Sequence, residues 1–363
     1  LIGLVSLAVS PFLPVWLGGG SDITPTASAY FAIVATALPI FQFSIFGAGM
    51  LRSAGNMVVP SVMSVVMMSL DVVFNFFLIF PTRPVQLFGA EVTIPGMGMG
   101  VVGAAIGTVS AELVAASITM YILCFRSKEL SLRIDTGRFL PTWGVVKRAL
   151  HISLPMGLQQ TIMCSAYVMT TIIIAPLGTF AIAANSFGVI VESLCYMPGY
   201  GIADAATTLV GQSIGAGRHE LMKRFAWLSV GLGVTVMAVM GVVMYVGAPV
   251  AMAMMTPAEE VRRLGVEVLR IEAFAEPMFA AAIVSYGVFV GAAKTLVPSI
   301  MNLVSIWGVR ISLAALLAPS MGLRGVWLAM CLELTFRGVI FLVKLARFNP
   351  TPKPASRSEG VNS

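Results

Sequence analysis

The chain has 363 residues, of which 58% are hydrophobic and 10% charged. Soluble domains carry about 25% charged residues, so this composition excludes a soluble globular protein and selects a membrane-embedded one. The net charge of +6 sits in loops rather than on a nucleic-acid-binding face, and the four cysteines, scattered along apolar runs, have neither disulfide-framework nor metal-ligand spacing.

A helix needs roughly 20 apolar residues to cross about 30 Å of hydrocarbon. Ten runs are read as spans: 1–17, 28–50, 57–80, 100–125, 149–176, 180–213, 222–247, 262–291, 295–318 and 323–346. The first is short and opens on Leu1, which reads as a truncated span in a fragment missing its upstream helices. The runs are continuous rather than alternating, so strands are not expected. Pro277 inside the eighth run removes a backbone donor and predicts a bend there.

Lysine and arginine in the loops set the orientation. With the C-terminus cytoplasmic, fifteen basic residues fall in inside loops and four, Arg83, Arg262, Arg263 and Arg324, fall outside. Six of the fifteen (Arg126, Lys128, Arg133, Arg138, Lys147 and Arg148) cluster around the longest loop. The expected organisation is an N-lobe of four helices over 1–126, a cytoplasmic linker over 127–148, a C-lobe of six helices over 149–346 and a disordered cytoplasmic tail over 347–363.

Two stretches repeat each other. Gly49 to Val66 reads GMLRSAGNMVVPSVMSVV, and Gly287 to Val304 reads GVFVGAAKTLVPSIMNLV. A second echo pairs Met99-Gly100-Val101-Val102-Gly103 with Met321-Gly322-Leu323-Arg324-Gly325. Spans two to four thus match spans eight to ten in the same orientation, a parallel repeat of the kind that builds secondary transporters around a site between halves. Equal halves would make twelve helices, so the fold class expected is an all-α polytopic membrane protein: a two-lobed bundle with ten of twelve transmembrane helices.

Ordered motifs along the chain resemble those of the multidrug and toxic compound extrusion (MATE) transporters. Leu51-Arg52-Ser53-Ala54-Gly55-Asn56 before Pro60 is similar to the signature at the end of that family's fourth helix. Ser153-Leu154-Pro155 is similar to the opening of its seventh. Leu177-Gly178 with Ala183-Ala184-Asn185, and Leu209-Val210-Gly211-Gln212 with Gly215-Ala216-Gly217, follow in family order. The resemblance implies H⁺- or Na⁺-coupled antiport that exports bulky, amphipathic, often cationic drugs or metabolites by alternating access. It also implies no other cofactor, a multi-pass location in the plasma (bacterial inner) membrane, and a monomer whose partners are a small-molecule substrate and the lipid bilayer. Distant relatives move lipid-linked sugars, which leaves a flippase as the alternative. The chain departs from the family pattern at Met163 and Phe279, where some members carry acids, and at Val290, where the second repeat lacks the counterpart of Arg52.

An ionisable group at mid-membrane costs about 2.5–3.5 kcal/mol on insertion scales and so invites a functional reading. Glu272 and Glu276 lie four apart on one helical face beside Pro277 and are candidates for proton or cation coupling; ion pairing with Arg310 or Arg270 is the structural alternative. Asp71 joins them as a coupling candidate, with Asn75 four residues on; a structural polar cluster is the alternative. Gln159, Gln160 and Tyr167, together with Asn75 and Asn185, are candidates for a substrate cavity, since neutral amides bond varied ligands at little desolvation cost; hydrogen bonding between helices is the structural alternative for the glutamines. Glu333 and Arg337 are expected to form a structural i,i+4 pair. Glu112, Glu192 and Asp204 are not singled out. A channel lacks support because no filter-like loop is present. An enzyme lacks it because His151 and His219 are the only histidines and no H-E-x-x-H or G-x-S-x-G element occurs.

Overall fold

The computed structural model describes residues 2–16, 24–87, 90–127 and 142–348. Most of the expected linker (128–141) and the tail beyond 348 lie outside the described residues. The chain divides into two compact units, one within residues 1–139 and one within 140–363.

The first unit begins with two short helices, α1 (Ile2–Val9) and α2 (Leu13–Trp16), where one span over 1–17 was expected. Pro11 and Pro14 interrupt the run, and Ser10 Oγ donates to the Ser28 carbonyl at 2.8 Å. The long helices α3 (Thr24–Ser53), α4 (Val58–Ile79) and α5 (Gly100–Tyr121) follow, with α5 running into a π turn at Ile122–Arg126. A hairpin of β1 (Pro81–Leu87) and β2 (Ala90–Met97) links α4 to α5, with Val85 opposite Val92. No strand was expected. This one lies between spans, where β-branched Val85, Val92, Thr93 and Ile94 fall outside any run long enough to be a helix. Helix α5 packs on both α3 and α4.

The second unit holds α6 (Trp143–Ile174), α7 (Thr179–Gly215), α8 (His219–Met255), α9 (Glu259–Glu272), α10 (Glu276–Gly291), α11 (Leu296–Val304), α12 (Ser312–Met321) and α13 (Leu323–Ala346). A π turn, Ser305–Ile311, joins α11 to α12 as one interrupted span. The expected span 262–291 is instead two helices, α9 and α10, meeting at 59°. The break falls at Ala273–Ala275, and Pro277 sits in the first turn of α10, where a missing N–H costs nothing. Among the described residues eight helices are long and apolar enough to cross a membrane, or nine with the bent pair, rather than ten. The chain is an all-α polytopic membrane protein carrying one small hairpin.

Close backbone approach holds the second unit together, as small residues do in membrane bundles. A Cβ on Gly287 would lie 2.6 Å from the Ala203 carbonyl oxygen, and one on Gly338 would lie 2.4 Å from that of Met278. These contacts seat α10 on α7 and α13 on α10. Around them lie two apolar clusters, one built on Trp327, Met244 and Val268, the other on Phe289, Phe341 and Met222. Helix α6 packs on α11 and the π turn far more than on α7. That leaves space on the α7 side of α6.

Candidate functional site

A cavity of about 380 Å³ fills that space, a size suited to a drug-like ligand. Helix α7 contributes Glu192, Tyr196, Tyr200 and Asp204, four residues at i,i+4 intervals on one face. Helix α6 contributes Gln159, Gln160, Met163 and Tyr167; α10 contributes Phe279 and Tyr286. Thr207, Asn302, Arg310 and Arg337 complete the polar lining. The Tyr286 hydroxyl donates to Gln159 Oε1 at 3.0 Å. Tyr196 meets both Tyr200 and Phe279 edge-on, with centroids 5.6 Å apart in each pair. The wall is therefore aromatic and fixed, with amides and charges at defined points along it.

A second cavity, about 250 Å³, is lined by Tyr167, Thr170, Asn185, Ser186, Trp327 and Arg310 among others. Asn185 lies here rather than in the larger space, and its Oδ1 accepts the Trp327 indole N–H at 3.0 Å.

Arg310 and Arg337 share one carboxylate. Glu333, fully buried, accepts hydrogen bonds from Arg310 Nη2 at 2.8 Å and Nε at 3.1 Å on Oε2, while Oε1 forms an ion pair with Arg337 Nε at 3.1 Å that lacks hydrogen-bond alignment. Ser305 Oγ donates to the same carboxylate, and the Arg337 guanidinium stacks 5.5 Å above the Phe279 ring. The Glu333–Arg337 pair is thus present, but it belongs to a triad. Arg270 turns elsewhere: its Nε donates to the Tyr245 carbonyl at 3.4 Å and its guanidinium sits 5.2 Å above the Tyr245 ring.

Neither arginine offered as a partner is therefore bonded to Glu272 or Glu276. Both glutamates are 1% exposed, and all four of their carboxylate oxygens are buried without a hydrogen-bond partner among the described residues. They flank the α9–α10 break, Glu272 ending α9 and Glu276 beginning α10. Neither lines the two cavities described above. Of the two acids that line the larger cavity, Glu192 and Asp204, Glu192 is the buried one, 6% exposed, and it lies within electrostatic reach of Glu272, Glu276 and Arg310. The buried glutamates 192, 272, 276 and 333 thus stand against the arginines 310 and 337. If all were ionised the cluster would hold an uncompensated negative charge, which a low-dielectric interior disfavours unless a proton or cation is bound.

Asp71 and Asn75 lie on α4 in the first unit. Their Oδ1 atoms are buried and unpartnered, and a Cβ on Gly107 of α5 would collide with that of Asn75. Sequence reasoning singled out neither Glu192 nor Asp204 for the site. The signal available was the four-residue spacing of Glu192, Tyr196, Tyr200 and Asp204 through an otherwise apolar span.

The sequence profile of the MatE family matches residues 1–77 and 155–316, more than half of the chain. The chain is 26% identical over 327 residues to a Thermotoga maritima protein called a probable multidrug resistance protein, NorM, covering 89% of this chain and 67% of that one. It is 28% identical over 244 residues to a Xylella fastidiosa protein of the same name, covering 66% of this chain and 52% of that one. The chain therefore spans between about half and two thirds of the length of these relatives. Its fold is that of a solved multidrug resistance MATE family transporter of the MOP superfamily in an outward-facing conformation, with TM-score 0.84 and 19% identity over 96% of this chain and 76% of that one. A multi-pass membrane protein by its helices, the chain belongs to the MatE family.

Proposed function

We propose that the chain forms the transport core of a cation-coupled antiporter that exports amphipathic, often cationic drugs or metabolites by alternating access in the plasma membrane. Proton or sodium is the coupling ion, and the C-terminus is cytoplasmic, as the loop charges favour. The observation that carries the reading is the pair Glu272 and Glu276, buried, unpartnered and set on either side of a 59° break. A proton or a sodium ion is the partner that such a pair lacks, and a hinge between its members lets ion occupancy bias the helix angle. Glu192 connects the pair to the cavity, and Asp71 is a further coupling candidate in the first unit. The aromatic wall of Tyr196, Tyr200 and Phe279, with Glu192 and Asp204 beside it, suits a bulky cation.

Reconstitution into liposomes tests this. A fluorescent amphipathic cation should move saturably and only when an H⁺ or Na⁺ gradient is imposed. Saturation-free movement without a gradient would show a channel instead, and export of a lipid-linked sugar in place of the dye would show a flippase.

A further inference from the structure

Pro249 sits inside α8 and has no backbone N–H, so the carbonyl of Tyr245, four residues earlier, loses its helical donor. Arg270, exposed in the last turn of α9, supplies one from the neighbouring helix through its Nε, at 3.4 Å. The contact holds the guanidinium over the Tyr245 ring, and Phe274 meets the same ring edge-on, with centroids 5.8 Å apart. Only Nε is spent: Nη1 and Nη2 make no hydrogen bond or ion pair among the described residues. Tyr245 and Phe274 are 41% and 74% exposed, so the fork stands on an outer face of the second unit. Its depth follows from Glu267, one turn earlier on α9, which pairs with Arg324 at 2.7 Å. Arg324 is the second residue of α13, just after the turn at Gly322. Glu267 thus marks an end of the bundle, and Arg270 lies about 4.5 Å from it toward the bilayer centre. That is within the headgroup layer, which adds roughly 5–8 Å to each side of the hydrocarbon. Deeper along the same face stand Phe274 and Val242, both exposed. No carboxylate answers this cation. Glu267 is taken by Arg324, and Glu272 is buried about 200° around α9.

We infer that this face docks one anionic phospholipid, of phosphatidylglycerol chemistry, in the leaflet at the α8–α9 end of the bundle. The lipid phosphate takes the Nη edge of Arg270, which a guanidinium can offer in bidentate fashion. The acyl chains run inward past Phe274 and Val242. A zwitterionic lipid fits less well, because Glu267, the acid one turn above, is already matched and leaves nothing for an ammonium. Phe274 lies in the break between α9 and α10, so the lipid is seated against the hinge. The inference rests on the membrane embedding of the helices and holds whether or not the cavities carry substrate.

Native mass spectrometry of the purified full chain tests this, because it counts each bound lipid separately. The chain is titrated in detergent with phosphatidylglycerol and, in parallel, with phosphatidylcholine. Loss of one charge-assisted contact corresponds to about a tenfold change in affinity. The wild type should therefore show a phosphatidylglycerol step about tenfold tighter than its tightest phosphatidylcholine step, and Arg270→Gln should lose that step. Arg270→Gln also leaves the Tyr245 carbonyl without its donor. If that variant does not fold, Phe274→Ala serves, since it keeps Arg270 and the carbonyl contact; it should weaken the same step about fivefold by removing apolar surface from the acyl chains. An unchanged set of phosphatidylglycerol steps in whichever variant folds overturns the inference and means that the guanidinium meets only water. A phosphatidylcholine step as tight as the phosphatidylglycerol step in the wild type overturns it as well.

Discussion

Gly55 and Ala293, one in each copy of the sequence repeat, occupy the same left-handed turn, with φ of 86° and 55°. After α3 the Gly55 N–H donates to Arg52 O and the Asn56 N–H to Leu51 O, both at 2.9 Å. After α10 the Ala293 N–H donates to Val290 O and the Lys294 N–H to Phe289 O, again at 2.9 Å. The second echo behaves alike. Gly100 and Gly322 have φ of 55° and 62°, and a Cβ on Gly103 or Gly325 would lie 2.5 Å from a carbonyl oxygen of the preceding helix. What the two copies share at these positions is therefore backbone geometry, which demands glycine at three pairs of places and finds it in both copies at two of them, Gly100 with Gly322 and Gly103 with Gly325.

Ala293 departs from that demand. A left-handed conformation costs an L-residue with a Cβ about 1–2 kcal/mol relative to glycine. Ala293→Gly should raise the thermal unfolding temperature in detergent, and Gly55→Ala should lower it. A lowered unfolding temperature in Ala293→Gly would show that the turn stores no such strain.

Glu333→Gln should be severely destabilising. It leaves Arg310 and Arg337 buried without their carboxylate, and breaking a buried ion pair by removing one member costs about 3–5 kcal/mol. Chemical unfolding in mixed micelles measures this. A variant as stable as the wild type would mean that the arginines find other partners.

Gly241 of α8 supports the hinge. A Cβ there would lie 2.7 Å from the Ala273 carbonyl oxygen and 3.3 Å from Glu276 Cβ. Overpacking of this kind costs about 1–3 kcal/mol. Gly241→Val should lower the unfolding temperature and slow gradient-driven export while dye binding in the α6–α7 cavity is kept. Loss of binding together with export would place the damage in the cavity instead.

The spans were legible because lipid accepts only self-satisfied helices of a minimum length, so hydropathy alone locates α3, α4, α5, α7 and α13 to within a few residues, while α6 begins earlier and α8 ends later than expected. The break before Pro277 was legible as a bend but not as a bend between two helices, because composition does not say how far neighbours let a helix open. The π turn at Ser305–Ile311 left no mark, since one extra residue in a turn changes no hydropathy. Glu192 has no charged or amide neighbour four residues away to mark it; its meaning lies in the face it shares with Tyr196 and Tyr200. Arg310 was considered as a partner for Glu272 or Glu276. It pairs with Glu333 across helices, and that choice depends on three-dimensional packing that spacing along one helix cannot reveal.

The central claim is that the unpartnered glutamates at the hinge carry the coupling ion, and Glu276→Gln tests it most directly. The substitution is nearly isosteric and removes only the capacity to exchange a proton or bind a cation. In liposomes with an imposed H⁺ or Na⁺ gradient, the account predicts dye binding equal to wild type and gradient-driven export reduced to that of protein-free vesicles. Export by Glu276→Gln at the wild-type rate, with the same dependence on the gradient, would contradict it.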